Sequence, residues 1–306
     1  MKSFSRTHPQ LFGFAVTFAG VAFFFPDALV IRLVGVDTMT VAVWRGLFAG
    51  AVTLAGLAVF APRVLADWRS LASGPAIAIM FLQGFGSVFF LGSIGNTSAA
   101  NALLILASAP FLSALLSARL LGERVGTATW GAIIAVFAGV AIIASGSLGG
   151  GGLFGDALAL ANALTIALYY IVLRAAPGRN LLLPIAVGYF LTSLIALPLA
   201  PLPPLEARQW GLLFLSGGVI LAGGVGLLVI GPRYLPAAEV TLITMLEIVV
   251  GPALVWWVLH EVPATASLIG GAVILVAIAA HAMIRLRAGA EPASDPDNRR
   301  NQDEAY

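Results

Sequence analysis

The sequence predicts an all-α polytopic membrane protein, with ten transmembrane helices in two inverted five-helix repeats and both termini in the cytoplasm. Of its 306 residues, 60% are hydrophobic and only 10% are charged, whereas a soluble domain has about 25% charged residues. The mean hydropathy is +1.00. A chain this apolar has too few polar groups to cover its surface, so lipid must be the solvent for most of it.

Ten long apolar runs follow one another, each near the length of about 20 residues that crosses a bilayer. Their hydrophobicity is continuous rather than alternating, which disfavours a β-barrel. The first run follows Lys2 and Arg6, as in a signal peptide, but it is too long for one and is interpreted as a retained span. The runs lie at 11–33, 39–60, 73–95, 97–118, 126–145, 154–174, 181–199, 210–231, 236–258 and 265–286.

The basic residues between these runs predict the orientation. With a cytoplasmic N-terminus, the external segments carry only Arg32 and Arg208. The cytoplasmic segments then carry Lys2, Arg6, Arg63, Arg69, Arg119, Arg124, Arg174, Arg179, Arg233, Arg285 and Arg287. This asymmetry is the positive-inside pattern, and it requires an even number of spans between the termini.

A repeated joint divides the chain into halves. Glu123 in GERVG and Glu261 in HEVPA stand 138 residues apart, and Thr127 and Thr265 follow them at the same offset. Five spans per half is an odd number, so the second half enters the membrane from the opposite side, and the two glutamates lie at opposite faces. Inverted repeats are typical of secondary transporters, whose substrate site lies near the midplane between the halves. The alternative interpretation is a chance match between apolar sequences.

The expected organisation is a cytoplasmic N-terminus at 1–10, a first repeat at 11–148, a second repeat at 149–288 and a cytoplasmic tail at 289–306. The tail is polar and contains prolines, which predicts disorder.

The sequence resembles the drug/metabolite transporter superfamily, specifically its EamA-type ten-helix members. The resemblance rests on the two five-span halves and on AANALLILASAPFLSALLSARLLGERV, matched by AAEVTLITMLEIVVGPALVWWVLHEVP. Arg45 in VAVWRGLF matches an arginine common in the second span of such proteins. Within the family, the chain looks most like YddG-type exporters of amino acids. The resemblance implies a central cavity surrounded by spans one, three, four, six, eight and nine.

Glu247, midway along the ninth run in TLITMLEIVVGP, is the main candidate for substrate binding. An ionisable residue at the bilayer centre costs about 2.5–3.5 kcal/mol on insertion scales, so it invites a functional explanation. Glu247 is expected either to hold a substrate ammonium or proton, or to bond a neighbouring helix as a neutral acid. Glu239 lies two turns earlier and could border the same cavity or lie at the interface. Thr244 is a third candidate on this run.

Other polar residues in the runs are further candidates. Arg45 is expected to hold a substrate carboxylate, to snorkel outward or to pair with an acid, and the resemblance favours a structural role. Asp27 is expected at a solvated external end. The aromatic pairs Phe89-Phe90 and Trp256-Trp257 are expected to face lipid or the interface. The uncharged candidates for hydrogen bonds to substrate, or between helices, are Gln83, Asn101, Asn162 and Tyr169.

Four residues are predicted to be structural. Glu123 and Glu261 each precede a new helix, where a carboxylate is favoured by the positive helix N-terminus. Pro110 and Pro252 belong to the proline-bearing fourth span of each half. The glycine-rich eighth run, LSGGVILAGGVGLLVIG, is expected to allow close or sliding helix contacts.

Several classes of function are excluded or disfavoured. The chain has no cysteine, and its three histidines lack metal-ligand spacing. It has no Walker lysine, and no recognisable nucleophile–base–acid set. We therefore expect no enzyme activity, cofactor, metal or nucleic-acid partner.

The sequence thus predicts a secondary transporter in the cytoplasmic membrane of a bacterium. By resemblance it exports amino acids or related metabolites by alternating access, with membrane lipid around it and protons as a possible coupling ion. The alternatives are an exporter of organic cations or drugs, and a passive facilitator or channel on the same scaffold.

Overall fold

The structure, a computed structural model, describes residues 9–120, 127–147, 152–176, 181–228 and 237–289. These residues form helices, and no β-strand occurs within the described ranges, which confirms the all-helical prediction. The α-helices are α1 (Pro9–Phe24), α2 (Asp27–Val34), α3 (Thr38–Phe60), α4 (Pro62–Ala66), α5 (Gly74–Asn96), α6 (Ala99–Leu106), α7 (Ala109–Leu120), α8 (Thr127–Ser147), α9 (Leu153–Ala175), α10 (Leu182–Ala196), α11 (Ala207–Phe214), α12 (Ala222–Leu228), α13 (Ala237–Leu259) and α14 (Thr265–Gly289).

Among the described residues, seven helical segments are long and apolar enough to cross a membrane: Leu11–Val34, Thr38–Phe60, Gly74–Asn96, Ala99–Leu116, Thr129–Gly146, Leu182–Leu199 and Ala207–Leu228. Three shorter apolar stretches lie at Leu153–Tyr169, Val249–Leu259 and Thr265–His281. Large apolar side chains remain on the outside of the bundle, with Trp257 76% exposed. Such a surface suits lipid and not water, so the prediction of a multi-pass membrane protein is confirmed.

Two runs that the sequence predicts as continuous helices are broken. The first is interrupted between α1 and α2 at Phe25 and Pro26, and the fourth between α6 and α7 at Ala107 and Ser108. Proline has no N–H, and its ring clashes with the carbonyl four residues earlier. For Pro110 that carbonyl belongs to Leu106, the last residue of α6. Pro252, by contrast, lies inside the continuous helix α13.

The eighth run contains a π-helical segment at Leu215–Leu221, between α11 and α12. Gly217 lies in this segment, and a Cβ added there would meet the backbone carbonyl of Arg45 on α3. A glycine is therefore required for this close approach of the segment to α3. The prediction of close helix contacts by the glycine-rich run is confirmed at this position.

The contacts between helices are symmetric with respect to the two halves. The second runs of the halves, α3 and α10, pack on each other, as do the fifth runs, α8 and α14. The packing of α5 on α9 is mirrored by that of α12 on α1. Gly139 on α8 and Gly270 on α14 cross so closely that a Cβ on either would meet the carbonyl oxygen of the other, at 2.7 and 2.5 Å. The core is thus built largely between the halves.

Candidate functional site

A cavity of about 290 Å³ lies between the two halves. It is bordered by α1, α2, α3, α5, α6, α9, the π segment, α12 and α13. Its apolar lining consists of Val21, Phe24, Leu82, Gly86, Phe90, Leu106, Ile166, Leu221, Val225 and Leu228. Its polar lining consists of Asp27, Arg45, Gln83, Ser87, Asn162, Thr165, Tyr169 and Glu247. Mostly apolar walls with a few polar groups are typical of small-molecule sites.

A buried ion pair lies at this cavity. Arg45 Nη2 on α3 donates to Asp27 Oδ2 on α2 at 2.5 Å, and each residue is only 3% exposed. The expectation that Asp27 lies at a solvated end is therefore wrong, because the break at Pro26 starts α2 inside the bundle. Of the three roles left open for Arg45, the structure shows pairing with an acid.

Two further groups hold this pair. Ser216 Oγ in the π segment donates to Asp27 Oδ1 at 3.3 Å. The Arg45 guanidinium lies over the ring of Phe90, 5.7 Å from its centroid, a cation–π arrangement. The expectation that Phe90 faces lipid or the interface is wrong, because the ring lines the cavity and supports the arginine. A single apolar run gives no signal that distinguishes Phe90 from Phe89.

Glu247 on α13 lines the same cavity and is partly exposed to it. Asp27 and Arg45 both act on it electrostatically. Within the described part of the chain, Glu247 has no hydrogen bond or ion pair. Its carboxylate is therefore available to a ligand in the cavity.

The uncharged candidates separate into two places. Gln83, Asn162 and Tyr169 line the cavity, and Gln83 Nε2 donates to Ser87 Oγ at 3.1 Å. Asn101 is buried outside the lining described above. Its Nδ2 donates to Asp156 Oδ1 at 3.2 Å, and Ser267 Oγ donates to its Oδ1.

Asp156 is a buried acid that is not among the residues predicted from the sequence. It lies in the first turn of α9 and also accepts a hydrogen bond from Thr97 Oγ1 at 2.7 Å. The aspartate, Thr97, Asn101 and Ser267 thus connect α5, α6, α9 and α14 across the two halves. A lone aspartate at the start of an apolar run looks like an ordinary helix end, so this network could not be predicted from the sequence.

Glu261 lies beside this network. Its Oε1 accepts from Arg32 Nη2 at 3.3 Å and from the backbone N–H of Ala99 at 3.2 Å. Arg32 Nη2 also donates to the carbonyl of Thr97 at 2.8 Å. Glu261, which is predicted to be structural, precedes α14 and also accepts from the first residue of α6 in the other half.

The structure describes only some of the remaining candidate residues. Thr244 and Glu239 lie on α13, and Glu239 is two turns before Glu247. Pro110 is the second residue of α7. Glu123 and the predicted C-terminal tail fall outside the described residues. Within the described ranges, no three histidine, aspartate or glutamate side chains cluster as a metal site would require.

The apolar helices and the cavity between the halves are those of a membrane protein that can hold a small solute. The sequence model of the EamA-like transporter family matches residues 9–145 and 153–282, so the chain belongs to this family. The two matched segments also agree with the predicted repeat.

Known structures support the fold. Fifteen chains of solved structures match this one. One of them, titled only "Crystal structure of protein", superimposes with a TM-score of 0.62 over 90% of this chain and 98% of that chain. At 17% identity the likeness shows the fold alone. No curated protein matches the sequence.

Proposed function

We propose that the protein is a secondary transporter that moves amino acids or related small metabolites out of the cytoplasm by alternating access, as YddG-type members of the family do. The observation that carries the proposal is the cavity between the halves, with a carboxylate, Glu247, open to it. Mostly apolar walls suit the body of such a solute, and the polar lining suits its head group.

We further propose that ten spans cross the cytoplasmic membrane of a bacterium. The three helices with shorter apolar stretches, α9, α13 and α14, have 23, 23 and 25 residues. At 1.5 Å per residue, each is longer than the hydrocarbon core of about 30 Å. Together with the positive-inside pattern, this supports inverted halves of five spans and two cytoplasmic termini.

In this orientation the contacts of Glu261 and Asp156 lie at the external face, because Arg32 and Thr97 end spans one and three there. The cavity-lining residues are deeper along the same helices, from Asp27 on span one and from Asn162 on span six. The arrangement supports a state that is sealed towards the outside. Transport would then require the two halves to separate at this seal.

Glu247 is proposed as the group that holds the substrate ammonium and exchanges it for a proton. A carboxylate in an apolar cavity needs a counter-charge, and either cation supplies one. The other charged or titratable groups lining the cavity are Asp27 on α2, Arg45 on α3 and Tyr169 on α9. Asp27 and Arg45 neutralise each other, which leaves Glu247 for this role.

Counterflow into proteoliposomes tests the proposal. Radiolabelled amino acids and amines should show saturation and stimulation by unlabelled solute inside, because a carrier returns faster when loaded. A channel would show neither. Glu247→Gln should slow counterflow about tenfold or more, since a hydrogen bond to a charged group contributes about 1.5–3 kcal/mol, and should remove its dependence on an imposed proton gradient. Unchanged rates for every solute at every pH would rule out this role for Glu247.

A further inference from the structure

Three described residues that line the cavity carry a formal charge: Asp27, Arg45 and Glu247. A substrate with an ammonium group needs a negative partner, and a substrate with a carboxylate needs a positive one. The partners that these three residues already have therefore determine which charges the cavity can accept.

Arg45 already has a counter-charge within the protein. Its guanidinium bonds Asp27 Oδ2 at 2.5 Å, lies over Phe90 and is only 3% exposed. The backbone of Arg45 is also fixed, because Gly217 packs directly on its carbonyl. A substrate carboxylate near this guanidinium would also meet the Asp27 carboxylate, and pulling Arg45 away from it would leave Asp27 buried without its counter-ion.

Asp27 is equally engaged. Its Oδ2 accepts from Arg45 and its Oδ1 accepts from Ser216, so both oxygens have donors within the protein. The pair is electrically neutral. Asp27 thus compensates the charge of the one basic side chain of the described lining.

Glu247 is then the only uncompensated charge of the described lining. A monocation placed in the cavity compensates it. A zwitterion compensates it with its ammonium, but also brings a carboxylate that has no free cation to receive it and that Glu247 repels. Juxtaposed like charges and unpaired buried charges are how binding sites reject a wrong ligand.

We infer that Asp27 sets the charge selectivity of the cavity. By holding Arg45 it makes the preferred ligand a small organic monocation with an apolar body, such as a primary amine, rather than a zwitterionic amino acid. The inference rests on the proposed function for the cavity and narrows its substrate class. Asp27 acts as a specificity-determining residue through Arg45, while Glu247 contacts the ligand.

2-Phenylethylamine and phenylalanine test this inference, because they share one apolar body and differ by a carboxylate. The full-length purified protein in lipid nanodiscs is titrated with each radiolabelled compound. The wild-type protein should bind the amine at least about tenfold more tightly, a difference of about 1.4 kcal/mol. Equal affinities, tighter binding of phenylalanine, or no saturable binding of the amine would overturn the inference.

Two substitutions test which residues determine the preference for the amine over phenylalanine. Glu247→Gln should weaken amine binding about tenfold and erase the preference. Asp27→Asn should free the Arg45 guanidinium, strengthen phenylalanine binding and weaken amine binding. Glu206→Gln neutralises an exposed carboxylate away from the cavity and should leave both affinities unchanged. A preference that survives Glu247→Gln contradicts the inference, and this comparison decides the matter even if Asp27→Asn does not fold.

Counterflow with the same two compounds separates this inference from the proposed function. If the amine binds with the expected preference but does not exchange, the charge selectivity stands and the transporter proposal fails. If phenylalanine is preferred and exchanges, the transporter proposal stands and the charge selectivity is wrong.

Discussion

The ion pair of Asp27 and Arg45 shows how strongly a single residue depends on its partner in this bundle. Both side chains are buried, and within the described residues the Nε of Arg45 has no hydrogen-bond partner. Removing one member of a buried pair leaves an uncompensated charge, whereas replacing both by apolar groups is often nearly neutral. The pair therefore stabilises the bundle only as a unit.

Asp27→Leu or Arg45→Met alone should lower the free energy of unfolding by about 3–5 kcal/mol. The double variant should be closer to the wild-type protein than either single variant. Unfolding in mixed micelles of lipid and dodecyl sulfate, followed by circular dichroism, measures all four proteins. Additive losses in the double variant would show that the two charges do not stabilise each other.

At the residue scale, the sequence predicted which polar residues line the cavity better than it predicted which of them bond each other. Glu247, Gln83, Asn162, Tyr169 and Arg45 were predicted as site candidates, and all of them line the cavity. Polar residues stand out in apolar runs of the sequence. Each invites a functional explanation because it costs free energy to bury. Which of them meet depends on helix breaks and rotations that no local pattern encodes, so the partner of Arg45 was missed.

At the scale of elements, the crossing of α8 and α14 depends on small residues. In lipid, helices associate mainly through close packing of their backbones. Gly139 and Gly270 provide this contact, and the backbone of each is within reach of the other's added Cβ. No comparable constraint acts on Gly131, which lies on the same helix α8 with nothing within 4 Å of an added Cβ.

Gly270→Val should therefore lower the free energy of unfolding by about 1–3 kcal/mol, the usual cost of overpacking. Gly131→Val is the matched control and should have little effect. The dodecyl sulfate titration described above measures both. Similar losses in the two variants would show that the crossing of α8 and α14 does not determine the effect.

The existence of the helices was predictable from the sequence, but their interruptions were not. The length of an apolar run is enough to predict a helix that crosses the membrane. A break after Leu106 precedes Pro110, whereas Pro252 lies in an unbroken helix. A proline therefore permits a break, and the packing around it decides whether the break occurs.

At the scale of the whole molecule, the polar contacts of Glu261 and Asp156 join the two halves at one face. Arg32, Thr97, Ala99 and Asn101 belong to the first half, and their partners belong to the second. The repeat explains why there are two halves to be joined, and the matching positions of Glu123 and Glu261 predict that repeat. The contacts between halves could not be predicted, because 162 residues separate Glu261 from Ala99.

In the proposed orientation, Glu261→Ala should weaken the contacts between the halves at the external face and shift the protein towards a state open to the outside. Ser87→Cys provides a reporter in the cavity, and the chain has no other cysteine. Labelling by a membrane-impermeant maleimide added outside should rise about tenfold, in line with the loss of charge-assisted hydrogen bonds.

The control for this experiment is Glu206→Ala. Among the described residues, the Glu206 carboxylate bonds only within its own helix α11, and Glu206→Ala keeps the side chain of Gln209, which donates to the carbonyl of Val34 in the first half. Labelling that does not change with Glu261→Ala, or that rises equally with Glu206→Ala, would show that this contact does not hold the external face closed.

The short distance along the chain between Asp27 and Arg45 has a consequence for biogenesis. The two residues are 18 positions apart, whereas Ser216 is 189 positions from Asp27. At about 5–20 residues per second, the ribosome needs roughly 10–40 s to make that stretch. During this interval the first two spans already contain both charges, so they can leave the translocon together as a neutral hairpin. Arg45 can thus enter the bilayer with its counter-ion, well before the second half exists to enclose it.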